Sequence, residues 1–208
     1  MKSLAIHHSK EPYADTRLPD PHQDAFSKNV LGFWVYLMTD CLLFATLFIT
    51  YAVLKHNTFG GPSSNDLFDL KTAFSETMIL LFSSVSCGFA LLSSLKNNKK
   101  RVLIWLIVTF CLGATFIGFE LNEFGHFISE GNTWKKSAFL SSFFALVGTH
   151  GLHVSCGLIW LAVMILQVIW QGINNDTFRR LIIFGLFWHF LDLVWIFIFT
   201  FVYLMGVL

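Results

Sequence analysis

Seven ionisable side chains lie inside long apolar runs of this 208-residue chain: Asp40, Glu76, Glu120, His150, His153, His189 and Asp192. Such a group is expensive in a nonpolar surrounding and needs a reason to be there. The segment FFALVGTHGLHVSCGLIW, Phe143 to Trp160, carries two imidazoles three residues apart, interleaved with Gly148, Gly151 and Gly157. Imidazoles hold metals, relay protons or bond between helices. At i and i+3 on a helix, both rings face roughly one way. They cannot be the two axial ligands of one haem, which approach from opposite sides. His189 is a candidate facing ligand, but one pair across helices falls far short of a haem signature. Zinc or copper wants three or four ligands. The chain has no HExxH string and shows no tight ligand cluster.

A proton relay would use the same residue types. Asp40, His150, His153, His189 and Asp192 fall near mid-depth of their runs, as one polar layer. Asp40, His189 and Asp192 are read together as a set that shares protons. His189 and Asp192 lie three apart on one helix face. Glu76 and Glu120 form a second layer near the other end of adjacent antiparallel helices. At 1.5 Å per residue the two layers are about 10 Å apart, and no set of residues bridges them. Glu120 and Glu123 lie close enough to a membrane interface to be wetted. The chemistry therefore favours a structural role. The glycines permit close helix approach, and His150, His153, Thr149 and Ser155 supply bonds between helices, worth about 0.6–2 kcal/mol each.

These groups must be positioned by membrane-spanning helices. Apolar residues make up 55% of the chain and charged residues 13%, against about 25% charged in a soluble domain. Five apolar runs cover about 30–54, 73–95, 102–121, 137–170 and 181–204. Each is long enough for a hydrocarbon core of about 30 Å. None alternates as a membrane strand does. The expected fold is all-α, a polytopic five-helix transmembrane bundle, preceded by a polar segment, residues 1–29. The fourth run is overlong and should tilt or extend beyond the bilayer. NEFGHFI, after the third, reads as a helical extension or an interfacial segment. LGATFIGFE reads as a packing face through Gly113 and Gly118.

Ten Lys and Arg fall on the side of the N-terminus and four on the other. The positive-inside rule then places the N-terminus in the cytoplasm and, after five spans, the C-terminus outside. Net charge is +1 and no basic tail is present, so nucleic acid is not an expected partner. The four cysteines are scattered through apolar runs, which argues against a disulfide framework. Phosphate-binding glycine loops, nucleophile elbows and inverted repeats are lacking. A non-catalytic subunit fits better than a self-contained enzyme. A small transporter or a haem-carrying membrane anchor is the rival class.

Four strings carry a family resemblance: GFWVYLMTD (Gly32–Asp40), ETMILLFSS (Glu76–Ser84), FFALVGTHGLHV (Phe143–Val154) and WHFLDLVWIFIF (Trp188–Phe199). In order and spacing they resemble subunit III of the haem-copper oxidases, over about residues 28–208. Many members have seven helices. This chain resembles the five-helix bacterial form, and its HNTFGGP loop and VYLMG ending look most like the bo-type ubiquinol oxidase branch. The cytochrome c oxidase branch is next.

The resemblance implies a non-catalytic subunit of a complex in the bacterial inner membrane. That complex reduces oxygen to water and pumps protons. Subunit I would hold the haems and copper and be the chief partner, with subunits II and IV in the same assembly. This chain would bind no cofactor of its own, apart from phospholipid held in a cleft. Glu76, Glu120, His150 and His153 would have structural or lipid-contact roles, with no catalytic or metal residues.

Overall fold

A computed structural model describes residues 21–55, 57–58 and 70–207. Its described residues form five long helices: α1 (Pro21–Leu54), α2 (Leu70–Leu95), α3 (Lys99–Ser129), α4 (Ala138–Gln171) and α5 (Asn175–Ile198). A π-helical turn, Phe199–Leu204, continues α5 and leads into a last short helix, Met205–Val207. All five long helices are apolar enough to cross a membrane. No strand occurs among the described residues.

The helices outrun the apolar stretches. α1 starts at Pro21, a residue suited to the first turn because its missing N–H has no partner there in any case. Residues 21–29 of the polar N-terminal segment are thus continuous with the first span, whereas residues 1–20 lie outside the described residues. α3 continues through NEFGHFIS to Ser129, so that segment is a helical extension. α4, at 34 residues, is about 51 Å long, well over the hydrocarbon thickness. Most of the Lys55–Lys71 connection, including most of HNTFGGP, lies outside the described residues.

Local chemistry sets the ends. Asn98 accepts from the Arg101 N–H at the start of α3. Ser137 accepts from the Leu140 N–H at the start of α4. Gly172 closes α4 at φ 73°, a conformation that glycine adopts without a Cβ penalty. Lys99, at the foot of α3, donates to the Ile169 carbonyl near the end of α4, 2.9 Å away.

α5 is the hub. It packs against α1, α2 and α4, and 56% of its most apolar window is buried, against 22% for α1. α2 and α3 form the broadest pair, and α1 leans on α4 and α5 from one side. Three glycines seat the hub, the tightest on α5 itself, where a Cβ on Gly185 would lie 2.7 Å from Leu91 of α2. A Cβ on Gly157 would lie 3.0 Å from the Trp188 ring, and one on Gly113 would lie 2.9 Å from Leu158. Gly151 and Gly118 have open space beside them, and Gly148 has only ordinary contact. The close helix approach therefore occurs at Gly113, Gly157 and Gly185, not throughout the glycine-rich string. Large apolar side chains such as Leu42, Ile159 and Trp170 point outward, as expected of a surface solvated by lipid.

Candidate functional site

Six of the seven intramembrane ionisable groups fall into three clusters, His150 stands apart, and the partner of Asp40 differs from the sequence expectation. The first cluster lies between α1 and α4. His153 Nδ1 donates to the Thr149 carbonyl one turn back, at 2.8 Å. That bond fixes the proton on Nδ1 in the neutral ring. The other nitrogen, Nε2, lies 3.6 Å from Asp40 Oδ2. At that separation the two groups are in close contact across α1 and α4 without a hydrogen bond. Asp40 thus pairs with His153. The expected set of Asp40 with His189 and Asp192 does not form, because α1 meets α4 more broadly than it meets α5.

His150, on the same helix, has a different environment. It is fully buried, and neither ring nitrogen has a hydrogen-bond partner. Its ring lies 5.2 Å from that of Trp195 and makes edge contacts with Phe116 and Phe44. The expected bond to a neighbouring helix is replaced by aromatic packing. Three aromatic rings from three other helices thus pack around this imidazole. Ser155 likewise donates within its own helix, to the Gly151 carbonyl.

The second cluster joins α2 to α5. Ser84 Oγ lies 2.6 Å from His189 Nδ1, and the Asp192 carboxylate sits beside the same hydroxyl. Rungs above and below it use indoles. Trp188 Nε1 donates to Ser83 Oγ at 3.1 Å, and Trp195 Nε1 donates to Thr77 Oγ1 at 3.1 Å. Ser86 continues the network to Thr109 of α3 at 2.7 Å. The sequence reading passed over these hydroxyls. Their signal was legible: Thr77 and Ser84 are seven apart, as are Trp188 and Trp195, so each pair keeps one face over two turns.

The third cluster lies at the far end of α2 and α3. Glu76, Glu120 and Glu123 each bring a carboxylate oxygen within 4.8 Å of the others. Glu76 and Glu120 are buried, at 0% and 4% exposure, and none of their four oxygens has a hydrogen-bond partner. Glu120 is thus buried rather than open to the interface, and the layer of Glu76 and Glu120 expected from the sequence gains Glu123 as a third member. The α2–α3 pairing brings Glu76 and Glu120 together. Tyr203, carried by the π-helical turn, donates to Glu123 Oε2 at 3.2 Å. Glu123 also lines an outward-opening cleft of about 730 Å³ with Thr72, Asn122 and His126. Oxygen-only donors at this spacing suit a proton shared among carboxylates or one hard cation.

A separate apolar groove of about 390 Å³ runs between α1 and the end of α5, lined by Phe48, Tyr51, Phe197 and Phe201, with Lys55 beside it.

Residues 9–207 match the family described as cytochrome c oxidase subunit III. The chain belongs to that family. Similar curated proteins span nearly all of it. Cytochrome bo(3) ubiquinol oxidase subunit 3 of Pseudomonas aeruginosa is 55% identical over 91% of this chain and 90% of its own length. Quinol oxidase subunit 3 of Bacillus subtilis is 47% identical over 86% and 87%. A probable quinol oxidase subunit 3 of Staphylococcus aureus is 40% identical over 92% and 96%. The resemblance carried by the four strings is thus a family relationship. As a member of the subunit III family with five spanning helices, the chain is a multi-pass membrane protein that belongs with partner subunits.

Proposed function

We propose that this chain is the non-catalytic subunit III of a bo-type quinol oxidase, a complex that oxidises ubiquinol, reduces oxygen to water and pumps protons. The observation that carries the reading is the naming of its curated relatives. Proteins 40–55% identical to it along nearly the full chain are described as quinol oxidase subunit 3, including two from Pseudomonas species and one from Bacillus subtilis. The family takes its description from cytochrome c oxidase, which is the alternative assignment. Choice of electron donor belongs to other subunits.

Subunit I, with its haems and copper, is the chief partner, and subunits II and IV complete the assembly. The seven site residues have structural or lipid-contact roles. The aromatic packing around His150 supports a structural role there. The groove beside Lys55 suits an acyl chain, with the ammonium near a headgroup phosphate. The complex lies in the bacterial inner membrane, with this chain's N-terminus cytoplasmic and its C-terminus periplasmic. The subunit stabilises subunit I and supports sustained proton uptake.

Purification through a tag on this chain in mild detergent tests the proposal. A haem-bearing complex that oxidises ubiquinol is expected to co-purify. Turnover with reduced cytochrome c but not ubiquinol would move the chain to the alternative. Recovery of this chain alone, in functional form, would refute both.

A further inference from the structure

His189 is out of place on a lipid-facing surface. It occupies the midpoint of the 30-residue span Asn175–Leu204, yet it is exposed on the outside of the bundle. Only Nδ1 has a hydrogen-bond partner among the described residues, the Ser84 hydroxyl. Whichever tautomer that bond selects, Nε2 is left as an unmet donor or acceptor at the depth where the bilayer is pure hydrocarbon.

The other outward polar groups behave differently. Thr39, Thr46, Thr50 and Thr115 are exposed, but each hydroxyl donates to a carbonyl of its own helix. Such groups tolerate acyl chains. An imidazole cannot turn back on its helix in this way while Ser84 holds its near nitrogen. The bond to Ser84 also aims the ring, since α2 fixes one side of it. Leu193 and Ile196, four and seven residues on along the same face of α5, are exposed and form an apolar rim. A polar atom within an apolar rim is the pattern of a helix-packing surface in a membrane, where polar side chains bond between helices.

We infer that the α2–α5 face centred on His189 seats a transmembrane helix of another oxidase subunit, which presents a hydrogen-bonding group to Nε2 at mid-bilayer depth. The inference rests on the reading of the chain as an oxidase subunit. A helix is the expected occupant because it alone satisfies its own backbone in hydrocarbon while offering a side chain at fixed depth.

The test uses the whole oxidase. A photoreactive benzoylphenylalanine replaces Leu193, one turn from His189, and the purified complex is irradiated and digested. Mass spectrometry is expected to find a cross-link to a membrane helix of another oxidase subunit. Cross-links to phospholipid or quinone alone would overturn the inference. In parallel, His189→Leu should release this chain from the complex about tenfold more readily in rising detergent, while His189→Gln, which keeps a hydrogen-bonding group, stays within about twofold of the parent. Equal retention of the Leu and Gln variants would also overturn it. Failure of any oxidase subunit to co-purify would count against the functional reading. A lipid-only cross-link within an intact oxidase would count against this inference alone.

Discussion

The α2–α5 seam and the carboxylate group at the end of α2 and α3 bury polar atoms in opposite ways. In the seam, Thr77, Ser83 and Ser84 each meet a partner on α5 within 3.1 Å. At the carboxylates, the four oxygens of Glu76 and Glu120 meet none. A buried polar group costs little when bonded and much when orphaned. The hydroxyls and indoles of the seam are therefore sufficient as architecture, and only its edge, His189 Nε2 and one Asp192 oxygen, lacks a partner among the described residues. The carboxylates are incomplete without a proton, an ion, a lipid headgroup or a neighbouring chain. Partnered hydroxyls and indoles mark the fold, and the orphaned carboxylates mark where the fold expects company.

The sharpest way to break the comparison is to weaken the seam itself. Trp195 is fully buried, bonds Thr77 and packs on His150 and Phe116. Trp195→Ala opens a large cavity at the hub and should cost about 3–5 kcal/mol. The expected outcome is loss of this chain from the complex at temperatures the parent survives, read by native electrophoresis. Retention at the parent's temperature would mean that α5 is not the hub. Glu120→Met should act in the opposite direction. It removes an orphaned carboxylate and keeps its volume, so stability should rise by about 1–2 kcal/mol. A fall in melting temperature would show that the carboxylates already have a bound partner, and the contrast with the seam would collapse. Ser84→Ala removes one bonded hydroxyl and should cost about 1 kcal/mol, with His189 left free to turn.

The same contrast explains what could be read without coordinates. Five spans were legible because hydrocarbon thickness dictates length, and backbone satisfaction dictates helix. The caps at Asn98 and Ser137 delimit α3 and α4 by local chemistry alone. Which ionisable groups meet was legible for His189 with Asp192 and for Glu76 with Glu120, and not for Asp40, because its pairing depends on helix neighbours. Asp40 has His153 as its partner only because α1 leans on α4. The contact of Tyr203 with Glu123 was not legible either, because it depends on the π-helical turn after α5. His150 was misread for another reason. A histidine among glycines suggests a bond across helices, but the large rings of Phe44, Phe116 and Trp195 come from three other helices.

The smallest predicted effect concerns that glycine string. Gly148, Gly151 and Gly157 look equivalent in sequence, yet only Gly157 lies against the Trp188 ring. A methyl group at Gly151 would meet nothing within 4 Å. Gly151→Ala should therefore change stability by no more than about 0.5 kcal/mol, with a slight gain because alanine favours helix. Gly157→Ala must displace Trp188 or Phe187, both within 3.1 Å of the added carbon, and should destabilise by about 1–3 kcal/mol. Thermal unfolding of the two variants in one detergent compares them directly. Equal destabilisation would mean that the string packs as a unit against something beyond this chain. Unequal destabilisation, with Gly157 the sensitive site, would fix α5 as the surface against which α4 is fitted.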